Sequence, residues 1–385
     1  MDFNFTDEQN MIRDSLSRLI REQYDFETRR GVVNSDSGWR PEMWAQFAEL
    51  GLLAAPFSEE DGGLGGGAVD SMVVMEEFGK GLVIEPFVPS VVGGGGYLKH
   101  GGSSAQKEEF LSGIISGEMV FAVATDEPQS RFSLSDVTTT ARANGSSYTL
   151  NGHKAVVLGG PWATHLIVTA RTSGERFDKD GISVFIVPKS ANGVTTRDYP
   201  TVDGFRASEV YLENVEVSGD HMIGEEGKGL DLAEKVRDES IAAICAEAGG
   251  AMQVLHAQTL DYAKNRKQFG VPISTFQVLQ HRMVDMFVEH QQSVSMTYQV
   301  TLRLEEDAVT RMKAASAAKV QIGRSGRFVG QSAVQIHGGM GVTDELAASH
   351  YFKRLTMIDT QFGNVDYHLR RYTNLAGEEF AAAAE

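Results

Sequence analysis

The spacing of apolar residues divides the chain into three segments with different periods. In the first segment, apolar residues recur at three- and four-residue intervals, which is the period of an amphipathic helix. The opening helix is predicted to begin after Thr6, because Thr6 followed by Gln9 resembles a capping box. Further helices are predicted over 41–50, 69–79 and 104–111. This part of the chain is therefore expected to be helical.

From about residue 119 the period changes to the two-residue alternation of strands. The strand-like runs are VFAVAT, VTTTARA, YTLNGHKAVVL, HLIVTAR, GISVFIVP and SEVYLENVEV, with turn residues between them. The dipeptides Asn144-Gly145 and Asn151-Gly152 are typical of hairpin turns. A β-domain that ends near His221 is the prediction.

From about Gly227 the helical period returns and persists to the end of the chain, with long helices predicted over 230–266, 276–305 and 310–337. The predicted fold class is α+β. It comprises an N-terminal α-helical domain (1–118), a middle β-barrel or sandwich-like domain (119–222) and a C-terminal four-helix bundle (223–385).

Two glycine-rich stretches, 62–67 and 93–96, could be mistaken for phosphate-binding loops. Neither follows a predicted strand, and neither carries the Lys-Ser/Thr ending or the spacing of a dinucleotide fingerprint. Both stretches are therefore predicted to be turns.

The chain is acidic, with 35 Lys and Arg against 52 Asp and Glu and a formal net charge of -17. This balance argues against a nucleic-acid-binding or anionic-membrane-binding surface. An anionic ligand such as a CoA ester would need a local basic patch. The single cysteine, Cys245, rules out an intramolecular disulfide, and its apolar neighbours predict a buried, unreactive thiol.

The first ten residues, MDFNFTDEQN, contain two acids and lack the basic-then-apolar layout of a targeting peptide. The most apolar stretch, 82–92, is interrupted by Glu85, Pro86 and Pro89 and is too short to span a bilayer. A cytoplasmic protein is the expectation.

Two strings in the C-terminal half carry a specific resemblance. They are YAKNRKQFG at 262–270, continuing to Phe276-Gln277, and VQIHGGMG at 334–341. Together they resemble the flavin-binding signatures of the acyl-CoA dehydrogenase family, and the helix, sheet, helix order matches as well. The resemblance covers essentially the whole chain. It is closest to the small subunits of two-component enzymes, such as the pimeloyl-CoA dehydrogenase small subunit and bacterial steroid side-chain dehydrogenases.

The resemblance implies an FAD held between subunits, with these strings near the adenine and diphosphate half of a neighbour's flavin. An arginine offers a charge-assisted fork to a diphosphate, and glycines let backbone N–H groups approach it closely. The alternatives are a helix C-terminal cation for Arg266 and a surface amide for Gln335. A homo- or hetero-tetramer with a homologous subunit follows. The implied cofactor-binding residues are Arg266, Gln268, Phe269, Gln277, Gln335, Gly338 and Gly339.

Family members remove the α-proton of an acyl-CoA with a carboxylate while hydride leaves for the flavin, which an electron-transfer flavoprotein or a similar acceptor then reoxidises. The family's Tyr-Glu-Gly-Thr string corresponds to residues 361–364, so its glutamate position is Phe362, which cannot accept a proton. Asn364 ends this string and is a further cofactor-binding candidate. A second subgroup places its base where this chain has Ser240.

Glu247 is the candidate catalytic base within the chain. It stands seven residues after Ser240, two turns along nearly the same helix face, in the apolar stretch IAAICAEAGGAM. A carboxylate buried there would have a raised pKa. The alternative is a structural glutamate that pairs with a cation of a neighbouring helix.

The predicted β-domain also departs from the family. Where members show Trp-Ile-Thr in contact with the flavin ring, this chain has Val156-Val157-Leu158, so a threonine hydroxyl contact is lost. Thr125 lies in a string that resembles the family's Thr-Glu-Pro turn and is retained as a candidate flavin or acyl contact.

Three functional hypotheses remain open on the sequence. The first is an acyl-CoA dehydrogenase subunit, acting on a bulky or dicarboxylic acyl-CoA, either alone or only with a partner. The second is a non-catalytic subunit that completes the FAD site of a heteromeric enzyme. The third is a flavin oxidase of the same fold. The ten histidines show no metal-ligand spacing, so no metal is expected.

Overall fold

The computed structural model describes residues 5–382, with side chains to residue 377. Residues 1–4, part of the segment from which the absence of a targeting peptide was predicted, lie outside that range. The helices are α1 (Asp7–Gln23), α2 (Phe26–Val33), α3 (Pro41–Glu49), α4 (Ala68–Gly81), α5 (Gly95–Gly101), α6 (Ser104–Gln106), α7 (Ser112–Ile115), α8 (Gly229–Asn265), α9 (Gln277–Leu302), α10 (Ala308–His337), α11 (Ala347–Thr360) and α12 (Val365–Ala382). The strands are β1 (Phe121–Ala124), β2 (Thr140–Asn144), β3 (Ser147–Leu158), β4 (His165–Arg171), β5 (Ile182–Pro188), β6 (Val194–Pro200), β7 (Arg206–Ser218), β8 (Met222–Ile223), β9 (Lys267–Gln268) and β10 (Val271–Pro272).

This order of helices, sheet and helices confirms the predicted α+β fold class. The chain divides into two compact units. The helical unit contains the described parts of Met1–Val32, Ala68–Val83 and Ile241–Glu385, and the sheet unit contains Val33–Gly67 and Ile84–Ser240.

One eight-stranded sheet organises the sheet unit. Its strands follow the order β6-β7-β3-β2-β4-β5-β8, with β1 parallel to β4. Side chains such as Leu150, Leu166, Val168, Phe185 and Val210 are fully buried on one face, as the alternation of apolar residues requires.

Only one of the two predicted hairpin dipeptides is a turn. Asn144-Gly145 joins β2 to β3, and Gly145 has the positive φ of 63° that such a turn requires. Asn151-Gly152 instead lies inside β3 at a bulge. A Cβ on Gly152 would lie 2.3 Å from Thr139 Oγ1, so the glycine allows Thr139, just before β2, to approach β3 closely.

The glycine stretch 93–96 is helical rather than a turn. It spans the end of a π-helical turn, Val88–Gly94, and the beginning of α5. A Cβ on Gly94 would lie 2.4 Å from Phe121, and one on Gly95 would lie 2.4 Å from the Phe57 ring. These glycines let the helix pack against large side chains, and neither forms a phosphate loop.

In the helical unit, α4 and α8 cross with their backbones in contact. A Cβ on Gly79 would lie 1.9 Å from the Glu247 carbonyl oxygen, and one on Gly250 would lie 1.9 Å from that of Glu76. The C-terminal end of α4 is capped by side chains, because Arg29 donates to the Leu82 carbonyl at 2.7 Å. This crossing fixes the stretch of α8 that carries Glu247.

Candidate functional site

The two strings that carry the family resemblance meet in the helical unit. The Tyr262 ring, near the end of α8, packs on the His337 ring at the end of α10, with 4.4 Å between ring centroids. The Tyr262 hydroxyl also donates to the His337 carbonyl oxygen at 3.4 Å. Residues separated by about 75 positions therefore lie side by side.

Phe269 stands at the tip of a small hairpin beside this contact. Strands β9 and β10 pair antiparallel, and the two residues between them, Phe269 and Gly270, have φ of 54° and 82°. The Phe269 side chain is 92% exposed. An exposed aromatic residue held in the left-handed region is costly, and such strain is concentrated at functional positions.

The other cofactor-binding candidates of this unit are also accessible. Arg266 and Gln335 are exposed, as are Gln268 and Gln277. Among the described residues no carboxylate pairs with Arg266. No atom lies within 4 Å of a Cβ added to Gly338 or Gly339, so their backbone is open to a ligand.

His337 is a structural residue in this arrangement. Its Nδ1 bonds with the Ala333 carbonyl at 2.8 Å, which places the proton on Nδ1. Burial lowers the pKa of His337 more than this bond raises it, so the ring is neutral at physiological pH. The ring supports Tyr262 and the glycine turn that follows it.

Thr125 lies in the sheet unit, at the end of β1, and is 8% exposed. The turn that follows Thr125 is held by two ion pairs. Asp126 accepts from Arg237 at 2.7 Å, and Arg237 also donates to the Phe132 carbonyl at 2.6 Å. Glu127 and Lys154 form a fully buried ion pair at 2.7 Å. Thr125 is therefore held on a rigid turn.

The buried Glu127–Lys154 pair gives the chain an acid-sensitive contact. Burial alone would raise the Glu127 pKa, but Lys154 and hydrogen bonds from Thr138 and Thr139 outweigh it and hold the pKa at about 2, against 4.5 for an unperturbed glutamate. Because the folded-state pKa is depressed, this stabilisation is complete above pH 4.5 and is lost as the pH falls towards 2.

We expect Glu127→Gln to remove that dependence. In urea unfolding at a series of pH values, the wild-type free energy of unfolding should fall between pH 4.5 and 2. The variant, already less stable because Lys154 lacks its counter-ion, should show a smaller fall over the same window. Glu216→Gln, at an exposed position of β7, is the control for the loss of one charge. Equal slopes for Glu127→Gln and the wild type would contradict the assignment.

Val156 also has an unusual backbone. It stands at a bulge of β3, with φ of 52° and 52% exposure. A cluster missed from the sequence lies beside it, because Glu209 accepts from Tyr199 at 3.1 Å and bonds His153 at 2.6 Å. The residues come from β3, β6 and β7, and only strand register brings them together. Leu158, further along β3, carries no hydroxyl.

Glu247 is paired rather than free. Its side chain is 3% exposed, and its two oxygens accept from Arg354 Nε and Nη2 at 2.5 and 2.6 Å. This fork-to-fork pair is the structural alternative that the sequence left open, here with a cation of α11. A general-base role for Glu247 stays a prediction, and the geometry favours the other alternative.

The other positions where the family places a base offer no substitute. Ser240 is buried, and its hydroxyl donates to the Val236 carbonyl at 2.8 Å within α8. The adjacent Glu239 bonds His100 at 2.6 Å. Phe362 lies in the turn between α11 and α12. Neither Ser240 nor Phe362 can act as a base at neutral pH.

Asn364 has a structural role besides its predicted cofactor contact. Its side-chain oxygen accepts from the Tyr367 backbone N–H at 3.0 Å and so caps the N-terminus of α12. The amide N–H groups and the second lone pair of the oxygen remain for a cofactor contact, and the cofactor role of Asn364 stays a prediction.

Other site classes find no support in the described part of the chain. No cluster of three or more histidine, cysteine or acidic side chains there could hold a metal ion. Burial raises the pKa of Cys245 to about 12, so this thiol is not a nucleophile. Within residues 5–382, every helix is too short or too polar to cross a bilayer.

Family models match most of the chain. The acyl-CoA dehydrogenase N-terminal domain matches residues 6–118, the middle domain matches 122–215 and the C-terminal domain matches 227–373. The human mitochondrial short-chain specific acyl-CoA dehydrogenase is 30% identical over 317 residues, which are 80% of this chain and 76% of the relative. The chain therefore belongs to the acyl-CoA dehydrogenase family.

Solved structures agree with this assignment. Butyryl-CoA dehydrogenase from Megasphaera elsdenii superposes with a TM-score of 0.90 at 26% identity, covering 97% of this chain and 99% of that one. A chain of the Tcur3481-Tcur3483 steroid ACAD G363A variant superposes with a TM-score of 0.88 at 25% identity, covering 97% and 99%. The helix, sheet, helix architecture is that of the family.

The family binds FAD, and part of this chain fits that cofactor well. Arg266, which no carboxylate of the described residues pairs, and the open backbone of Gly338 and Gly339 suit a diphosphate, and the exposed Phe269 offers a ring to a nucleobase. The fit to the flavin ring of FAD is poorer, because Val156 and Leu158 offer no hydrogen-bonding side chain. Residues that suit the adenine and diphosphate half of FAD are therefore present, whereas hydrogen-bonding side chains for the flavin ring are missing at these two positions.

Proposed function

We propose that the chain is the supporting subunit of a heteromeric acyl-CoA dehydrogenase, in which a homologous partner supplies the catalytic glutamate. The observation that carries the proposal is the state of Glu247, whose carboxylate is occupied on both oxygens by Arg354. The two family positions for a base hold Ser240 and Phe362. A carboxylate that is to remove a proton must be free to reach it.

The accessible groups of the helical unit support the same proposal. Arg266 and the glycine turn would bind the diphosphate of a neighbouring subunit's FAD, and Phe269 would pack on its adenine. When bound, FAD accepts the hydride of the acyl group, and the protein supplies placement and electrostatics. In this chain Thr125, held by its charged turn, would contact the flavin or the acyl carbonyl.

The finer assignments belong to the same proposal. The enzyme would form a hetero-tetramer, act on a bulky or dicarboxylic acyl-CoA and pass electrons to an electron-transfer flavoprotein or a similar acceptor. The structural likeness to a two-component steroid enzyme supports the bulky substrate. The segments 1–118, 119–222 and 223–385 are proposed as the domains.

The test is co-expression with a homologue that carries the family glutamate, followed by anaerobic addition of acyl-CoA. We expect a yellow complex whose flavin absorbance bleaches, while the chain alone does not bleach. Bleaching by the chain alone would show a self-sufficient dehydrogenase. Oxygen consumption with a non-thioester substrate, without bleaching by acyl-CoA, would show the oxidase. Either result would overturn the proposal.

A substitution in this chain tests the shared FAD site. Arg266→Ala should weaken FAD binding by the complex about 10- to 100-fold, because a charge-assisted hydrogen bond to the diphosphate is lost. The control is Arg370→Ala, at an exposed position of α12. FAD affinity is measured by titrating the deflavinated complex. Equal affinity in the two variants would place the diphosphate elsewhere.

A further inference from the structure

The glycine turn at the end of α10 continues into a short segment that α11 holds in place. Gly338–Val342 forms a 3₁₀ turn, after which the Thr343 backbone N–H and hydroxyl donate to the Met340 carbonyl at 3.1 and 2.9 Å. The Ser349 hydroxyl, near the beginning of α11, donates to the Thr343 carbonyl at 2.8 Å. The placement of the glycine turn therefore depends on side chains of α11.

His350, the next residue of α11, connects the same segment to α2. Its Nε2 lies 3.0 Å from the Asp344 carbonyl oxygen and 3.2 Å from Asp344 Oδ1, and its Nδ1 lies 3.3 Å from Nη1 of Arg29. A guanidinium can only donate, so Nδ1 accepts and the single imidazole proton stands on Nε2. His350 is 7% exposed and Arg29 is 1% exposed. This geometry requires a neutral imidazole in one tautomer.

Three charged groups face this imidazole, namely Arg29 from α2, Asp344 from the segment and Lys353 from α11. Burial has the largest effect and lowers the pKa of His350, and Arg29 and Lys353 lower it further, whereas Asp344 raises it. Because the folded-state pKa is depressed below the ordinary 6.5, the contact is complete above that pH and is lost progressively below it.

We propose that His350 is a positioning residue for the glycine turn, and that it holds the backbone of Gly338 and Gly339 in place for the FAD diphosphate only while its ring is neutral. Protonation puts a second N–H opposite the Arg29 guanidinium, where there is no acceptor for it. The ring then turns away from Arg29, and because it is rigid, Nε2 leaves the Asp344 carbonyl. The segment after the glycine turn is no longer linked to α2.

This inference rests on the proposed function, because it takes the glycine turn of this chain as part of the FAD site of the complex. It adds that the affinity for FAD depends on pH through a buried side chain that acts by way of Asp344. One linked proton changes an affinity by at most about tenfold per pH unit.

The experiment titrates the deflavinated complex with FAD at about pH 7.5 and about pH 5.5, where we expect the wild type to bind about 5- to 10-fold more weakly. His350→Gln keeps one acceptor and one donor but cannot titrate, so it should bind as the wild type does at the higher pH and lose little at the lower one. His350→Leu should bind about 5- to 10-fold more weakly at both. His221→Gln, at a half-buried position of the sheet unit, is the control and should follow the wild type.

Hydrogen–deuterium exchange of the complex without FAD gives a second readout. At a single pH, peptides that cover 338–346 should exchange faster in His350→Leu than in the wild type or His350→Gln. Exchange that His350→Leu leaves unchanged, or the same pH dependence of FAD affinity in His350→Gln and the wild type, would overturn the inference. Weaker FAD binding by Arg266→Ala would still support the proposed function in that case.

Discussion

Glu247→Gln is expected to lower the free energy of unfolding of the chain by about 3 to 5 kcal/mol, without slowing flavin reduction by the folded complex. The variant neutralises the carboxylate that accepts two short hydrogen bonds from Arg354, whose side chain is 3% exposed. Removing one member of a buried ion pair typically costs that much, because the remaining charge loses an attraction that is strong in a buried environment. Urea unfolding measures the first effect, and stopped-flow bleaching per folded complex measures the second.

The same variant separates the two roles of Glu247. If Glu247 were the general base, the rate of flavin reduction would fall by about 10²-fold or more, since the proton would have no acceptor. Glu239→Gln is the matched control on α8, because it removes a less buried partner, bonded to His100. We expect it to cost less stability than Glu247→Gln. A large loss of rate in folded Glu247→Gln would restore Glu247 as the base.

Gly250→Ala is expected to destabilise the chain by about 3 kcal/mol, and its neighbour Gly249→Ala to stabilise it by about 0.5 to 1 kcal/mol. A Cβ at position 250 would lie 1.9 Å from the Glu76 carbonyl, whereas one at 249 meets no atom within 4 Å. Both glycines lie inside α8, so replacing either one with alanine raises the helix propensity by the same amount. Only the contact with α4 differs between the two positions.

Thermal unfolding of the two variants measured side by side is sufficient for this test. A lower midpoint for Gly250→Ala and a raised one for Gly249→Ala is the expected pair of results. Similar midpoints would mean that α4 and α8 do not cross at this contact. The crossing would then not be what positions Glu247.

The fold was predictable because its signals are local. The period of apolar residues marked the three long helices of the C-terminal half to within a few residues, and the capping box at Thr6 begins α1 as expected. Strand β6, by contrast, was missed, since VTTRDYP is polar on both faces and pairs only through its register with β7.

Two turn predictions, at Asn151-Gly152 and at 93–96, were wrong because packing overrides the local sequence signal there. The Asn151-Gly152 dipeptide has turn chemistry, but the glycine is required by Thr139, the residue just before β2. The glycine-rich sequence at 93–96 is typical of a turn, but these glycines let a helix approach Phe57 and Phe121. Such requirements come from residues distant in sequence, which periodicity does not record.

The candidate site was likewise predictable only where its signals are local in the sequence. The motif strings identified the Arg266 hairpin and the glycine turn, and the structure brings them together through Tyr262 and His337. The pairing of Glu247 could only be an alternative, because its partner Arg354 is 107 residues away. The cap formed by Asn364 had a local signal, since a side-chain acceptor before a helix is a recognisable cap.

The most direct test of the supporting-subunit proposal is the visible spectrum of the chain, purified alone and with its glutamate-bearing partner, before and after anaerobic addition of medium-chain and steroid acyl-CoAs. We predict no bleaching by the chain alone and a yellow, bleachable complex with the partner. A yellow protein that bleaches without any partner would contradict it.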